Sequence, residues 1–149
     1  MNGALAQADV LGIFGRERLG LATLWGPTNA TDPWAYAFRM YRNYNGHGGQ
    51  FGTTSVRAVS SNQGRLAVYA ATRGSDGALT VMVINKTGSA IRSPIQLRHV
   101  AAGGKASVFR YSPAHLHTIV HSAAIAVDGR RLTTTYPASS ITLLVLPRR

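Results

Sequence analysis

Residues 66–85, LAVYAATRGSDGALTVMVIN, decide the fold. In an extended chain Leu66, Val68 and Ala70 share one face, and Ala67, Tyr69 and Ala71 share the other. Past Arg73-Gly74-Ser75-Asp76-Gly77, Leu79, Val81 and Val83 alternate with Thr80, Met82 and Ile84. Two β-branched-rich runs around a Gly-containing turn predict a hairpin with a loop longer than the tightest class. Apolar residues on both faces predict a mid-sheet position, covered at least in part on both sides.

Working outward, the texture is β from Thr53 onward. Residues 54–60 predict a strand, and Ser61-Asn62-Gln63-Gly64 a turn. Residues 91–100 alternate, with Pro94 marking an edge or a bulge because it lacks a ladder donor. A turn at 101–104 leads to a strand at 106–112, and 118–121 is a short extended piece. Residues 124–127 and 132–135, joined by Asp128-Gly129, predict a second hairpin, and 141–146 a closing strand. About eight strands at short spacing predict an antiparallel β-sandwich.

Toward the N-terminus the pattern changes. Leu5, Ala8 and Leu11 recur at helical spacing and predict a helix from residue 2 that ends near Gly12 or Gly15. Residues 19–25, LGLATLW, form a short apolar run that stops at Gly26-Pro27, the pattern of a buried parallel strand. Thr31 or Asp32 caps a second helix, with Pro33 at its first position and Trp34, Ala37, Phe38 and Tyr41 as its apolar stripe. A buried parallel strand needs a parallel neighbour, and this segment supplies none. Residues 1–45 therefore read as the end of a larger α/β unit, 46–52 as a Gly-rich connector, and 53–149 as the sandwich domain. No Lys-Ser/Thr follows the connector, so it is not a phosphate loop.

Composition narrows the function. Sixteen Lys+Arg face five acids, a formal charge of +11. The arginines are dispersed singly or in doublets, and no helix-turn-helix, zinc-finger or RNP signature appears, so no nucleic-acid partner is expected. No apolar run reaches the ~18 residues of a membrane span, and no secretory signal is visible. With no cysteine, thiolate metal sites and disulfides are excluded. No cofactor is expected.

Five blocks then bear a resemblance. They are ADVLGIFGRERLGLATLW (8–25), DPWAYAFRMYRNYNG (32–46), LAVYAA (66–71), SDGALTVMVINKTG (75–88) and YPASSITLLVLP (136–147). In this order they resemble the C-terminal region of glycoside hydrolase family 44, a family of endoglucanases and xyloglucanases. The resemblance implies that 8–15 is a late helix of a (β/α)8 barrel, 21–25 its last strand and 33–44 its last helix, with the β-sandwich following. It also implies a bacterial, secreted parent; the compartment of this chain stays open.

The family is a retaining hydrolase, which needs an acid/base and a nucleophile about 5–5.5 Å apart. Both are glutamates that the resemblance places upstream of the matched region. This chain has one glutamate, Glu17, between Arg16 and Arg18, where a local ion pair is expected. The expectation is a non-catalytic part of a β-1,4-glucanase that braces the barrel, with weak β-glucan binding as an option.

Trp25 is the candidate substrate-binding residue, because barrel active sites lie at the C-terminal ends of strands and an indole plane stacks on a sugar ring. Packing against Trp34 is the alternative. His115, His117 and His121 share parity and would face one side of an extended segment, a candidate zinc or copper cluster of adventitious character. Tyr69, Tyr111 and Tyr136 are either a sugar platform or packing partners. Two rival functions stand beside the accessory one: a stand-alone carbohydrate-binding module, which needs an exposed aromatic row, and a small oligomeric or His-metal hydrolase. A truncated barrel edge exposes apolar surface, so the missing barrel, or a homo-oligomer through residues 1–45, is the expected cover.

Overall fold

The computed structural model describes residues 1–25, 29–99 and 104–148. Among the described residues two helices, α1 (Asn2–Arg16) and α2 (Pro33–Arg42), precede eight strands. These are β1 (Thr54–Val56), β2 (Leu66–Thr72), β3 (Leu79–Asn85), β4 (Ile91–Gln96), β5 (Lys105–Tyr111), β6 (Val120–Ala126), β7 (Arg131–Tyr136) and β8 (Ser140–Leu146). Six strands form one antiparallel sheet in the order β1-β2-β3-β8-β5-β6, and β4 and β7 form a second sheet. The eight strands foreseen from the sequence are thus divided six and two.

The hairpin is as its alternation dictates. Leu66 pairs with Asn85 and Thr72 with Leu79 without a slip. Arg73 closes the loop, donating from Nε and Nη2 to the two Asp76 carboxylate oxygens at 2.9 and 2.6 Å. Gly77 turns at φ 69°, where a side chain is strained. β8 inserts between β3 and β5, so the end of the chain fills the middle of the sheet.

That sheet is apolar on both faces, and each face has its own cover. Ala67, Tyr69, Met82, Ile84, Tyr111, Ile141 and Leu143 pack beneath the two helices. Val81, Val83, Val108, Leu144 and Leu146 pack against Leu132 and Tyr136 of the second sheet. The helices are therefore a layer of this fold. Tyr41 on α2 donates its hydroxyl to the Ala8 carbonyl of α1 at 2.9 Å. Asp9 of α1 accepts from Lys86 Nζ at 2.8 Å and from the Tyr69 hydroxyl at 2.6 Å.

Several expectations need correction. Residues 19–25 are not a buried strand; they have no regular structure and every one is exposed. The physical reason is the one that made the segment odd: no parallel neighbour among the described residues offers it a ladder. The stripe of α2 is Tyr36, Ala37, Met40 and Tyr41, with Trp34 and Phe38 only half-buried. Helix rotation follows the Tyr36 ring, which finds a flat partner in Tyr111.

Of the hairpin expected over 124–135 only the turn forms: Asp128 and Arg131 exchange backbone hydrogen bonds at 2.9 Å, but the strands on either side do not pair with each other. β6 pairs with β5, while β7 pairs with β4, so the link between them crosses from one sheet to the other. β7 buries Leu132 and Tyr136 in the second core, which Ile125 of β6 also reaches, so the two strands share a core but sit in different sheets. The first strand stops at Val56, short of residue 60. The Gly26-Pro27 stop, Val100 and most of the 101–104 turn lie outside the described residues.

Candidate functional site

The run from Leu19 to Trp25 is the feature that the packing leaves unexplained. It begins at the end of α1, where Glu17 donates its N–H to the Ile13 carbonyl and Leu19 donates to Phe14 at 2.9 Å. Between them Arg18 sits at φ 58°, the left-handed position that closes a Schellman turn and that glycine usually holds. The run resumes order at Asp32. There the carboxylate accepts from the Asn29 N–H at 3.0 Å and from Trp34 Nε1 at 2.9 Å. The Trp34 hydrogen bond, then the Asn29 amide, hold the Asp32 carboxyl below its ordinary value. Asp32 is the N-cap by backbone position, but its side chain is spent on these two partners and not on the helix amides.

Between those anchors Leu21 is 83% exposed and Trp25 99% exposed, with Leu19 and Leu24 also open. Trp25 therefore does not pack on Trp34. It is the one exposed Phe, Trp or Tyr among the described residues. Arg16 and Arg18 flank the start of the run and rim a cavity of about 460 Å³ between α1 and the β1–β2 edge. Arg16 is paired with Glu17 at 2.7 Å, the local ion pair expected of the chain's only glutamate.

The histidines do not share a strand face. His115 and His117 lie in turns, and His121 in β6 stacks on Phe109 with ring centroids 4.5 Å apart. Among the described residues no group of three or more His, Cys, Asp or Glu is placed to hold a metal ion. The tyrosines do not form a platform. Tyr69, Tyr111 and Tyr136 are all buried, and burial pushes the Tyr69 hydroxyl up to about 12, helped by its hydrogen bond to Asp9. Among the described residues no helix is long and apolar enough to cross a membrane.

Sequence reasoning missed Asn85. Fully buried, it donates to the carbonyls of Ser89, Tyr136 and Pro137 and accepts from the Thr87 N–H and hydroxyl. It ties the exit of β3 to the β7–β8 turn. An asparagine ending an otherwise apolar strand was the available signal.

Comparison with known proteins places these features. No protein-family model matches the chain. It is similar over 98% of its length to Endoglucanase A of Paenibacillus lautus, at 28% identity, and covers 21% of that protein. Among solved structures, CelM2, a bifunctional glucanase-xylanase from a metagenome library, superposes with a TM-score of 0.94 at 44% identity over 98% of this chain and 28% of its own. A Paenibacillus polymyxa xyloglucanase from glycoside hydrolase family 44 gives a TM-score of 0.89 at 29% identity, covering 97% of this chain and 29% of its own. The chain thus spans well under a third of the proteins it matches.

Proposed function

We propose that this chain, which matches family 44 endoglucanases and xyloglucanases along 98% of its length but covers only 28% of CelM2, is a non-catalytic accessory part of a β-1,4-glucanase. In this reading residues 1–45 complete a (β/α)8 barrel, 46–52 connect, and 53–149 form the sandwich that braces it. The carrying observation is the exposed Leu19–Trp25 run held between two helices that are themselves packed onto the sheet. The helices bury Leu5, Ala8, Tyr36, Ala37, Met40 and Tyr41 against the sheet and each other. The run still needs cover, and a barrel that lacks its last strand offers parallel neighbours on both sides.

The chemistry supports the same reading. A retaining glycosidase needs two carboxyl groups about 5–5.5 Å apart. Here Glu17 is exposed on Arg16, Asp9 is held by Lys86 and Tyr69, and Asp76 is held by Arg73. None of these is a free acid poised beside a second one. Trp25, at the end of the run, would stack on a glucosyl ring once the barrel walls surround it. A solved Paenibacillus polymyxa xyloglucanase of this family was obtained with xyloglucan, which makes a β-glucan the substrate class to test.

The test is a chimera in which this chain replaces the matching region of CelM2. Hydrolysis of xyloglucan and carboxymethylcellulose is expected. Trp25→Ala in the chimera should lower kcat/KM by about tenfold, ~1.4 kcal/mol, without lowering Tm. A folded chimera with no turnover, or one indifferent to Trp25, would contradict the proposal.

A further inference from the structure

The second sheet is too small for the first. Along β2, Ala67, Tyr69 and Ala71 are buried, the first two beneath the helices, whereas Leu66, Val68 and Ala70 on the opposite face are only half-buried. Over that half-covered face lies a cleft of about 1090 Å³. Its floor is made by Leu66, Val68, Ala70, Val81 and Val83. One wall is the loop after β1, and the other is β4 with its continuation to His99. All of β4 lines the cleft but only Tyr136 of β7 does, so the cleft lies along the edge of β4 that faces away from its partner. Among the described residues β4 pairs with β7 alone.

From these observations we infer that the cleft is a strand-addition site. It takes one extended peptide segment, alternately apolar and acidic, which lies beside β4 as a third strand of the second sheet. The backbone fit follows from the free edge. The apolar half of the partner covers Val68 and its neighbours at the usual side-chain period of two. The charge follows from the walls: Arg57, Arg65, Arg92 and Arg98 line the cleft and no acidic residue does. Pro94 leaves β4 one donor short, so unselective pairing is blunted and side-chain complementarity decides the partner. Two observations point the same way independently: apolar residues left half-exposed at mid-sheet, and four cations with no counter-charge in the lining.

The probe is a labelled, capped peptide of about eight residues alternating valine and glutamate, the length of an ordinary strand. Its control is the same peptide with lysine in place of glutamate. Fluorescence anisotropy should show saturable binding of the acidic peptide and none of the basic one. Hydrogen exchange should show new protection of the β4 amides. The double charge reversal Arg92→Glu with Arg98→Glu, at exposed positions that leave the core intact, should weaken binding by about tenfold or more. No binding, equal binding of the two peptides, protection elsewhere than β4, or indifference to the reversal would each overturn the inference. So would a dimer of the chain alone that already protects β4, since the cover would then be a second copy.

Discussion

Tyr36 on α2 and Tyr111 on β5 lie face to face, their ring centroids 4.7 Å apart and their planes within 4°. The pair joins the helix layer to the sheet, with Arg39 stacked at 4.5 Å over the outer ring. Tyr36→Ala removes a buried ring from this joint. It should cost about 3–4 kcal/mol, the usual penalty for deleting a buried aromatic. Chemical denaturation would show this as a lower midpoint. A loss under ~1 kcal/mol would mean that the helices are not a structural layer of the fold.

Gly12 tests the same interface from α1. A Cβ there would lie 2.3 Å from the Tyr69 ring. In a free helix Gly→Ala gains about 1 kcal/mol. Here overpacking against Tyr69 should reverse the sign, with a net loss of about 1–3 kcal/mol. A higher Tm for Gly12→Ala would show that α1 does not press on β2 as described.

Asn85 makes five hydrogen bonds: two join β3 to the β7–β8 turn, at Tyr136 and Pro137, and three fix the local turn at Thr87 and Ser89. Asn85→Ala removes its bonds to the buried Tyr136 carbonyl and to the Thr87 N–H and hydroxyl, while the Pro137 and Ser89 carbonyls keep the Ser140 and Thr87 hydroxyls. A loss of about 2–4 kcal/mol is expected by equilibrium unfolding. Asn85→Asp should be comparably harmful, because the new carboxylate would face the carbonyls of Tyr136 and Pro137 with no proton to give.

Acid should expose the Arg73–Asp76 pair. The Arg73 guanidinium, aided by the Ala78 N–H, lowers the Asp76 carboxyl from its ordinary 3.8 to about 2. A carboxylate lowered on folding adds stability above its unfolded value and loses it as pH falls through the folded one. The advantage of the natural chain over Asp76→Asn is therefore full above 3.8 and fades toward about 2. Asp76 is half-exposed, so screening limits the effect to about 1 kcal/mol. Denaturation midpoints of both chains across that range check it; a gap that stays constant would separate the pair from stability.

Much of this architecture is legible in the sequence because it is local. Period-two alternation gives β2 and β3 both faces, and Pro33 after Asp32 marks the start of α2. What alternation cannot carry is partner choice. Residues 124–127 and 132–135 look like a hairpin because Asp128-Gly129 is good turn chemistry, yet past the turn β6 takes its ladder from β5 and β7 takes its ladder from β4. Nor can apolarity alone distinguish a buried run from one awaiting cover. Leu21 and Trp25 have the composition of a core strand and the exposure of a surface loop. The three histidines fail for the same reason: parity brings side chains together only along a strand, and His115 and His117 lie in turns.

The central claim, that this chain supports a glucanase without performing its chemistry, is tested most directly by turnover. The purified chain would be assayed on xyloglucan and carboxymethylcellulose, with and without a chelator. No hydrolysis in either condition is the predicted result. Hydrolysis that persists with the chelator and disappears in Glu17→Gln would contradict the account, because the chain's one glutamate would then be an active acid and not the partner of Arg16.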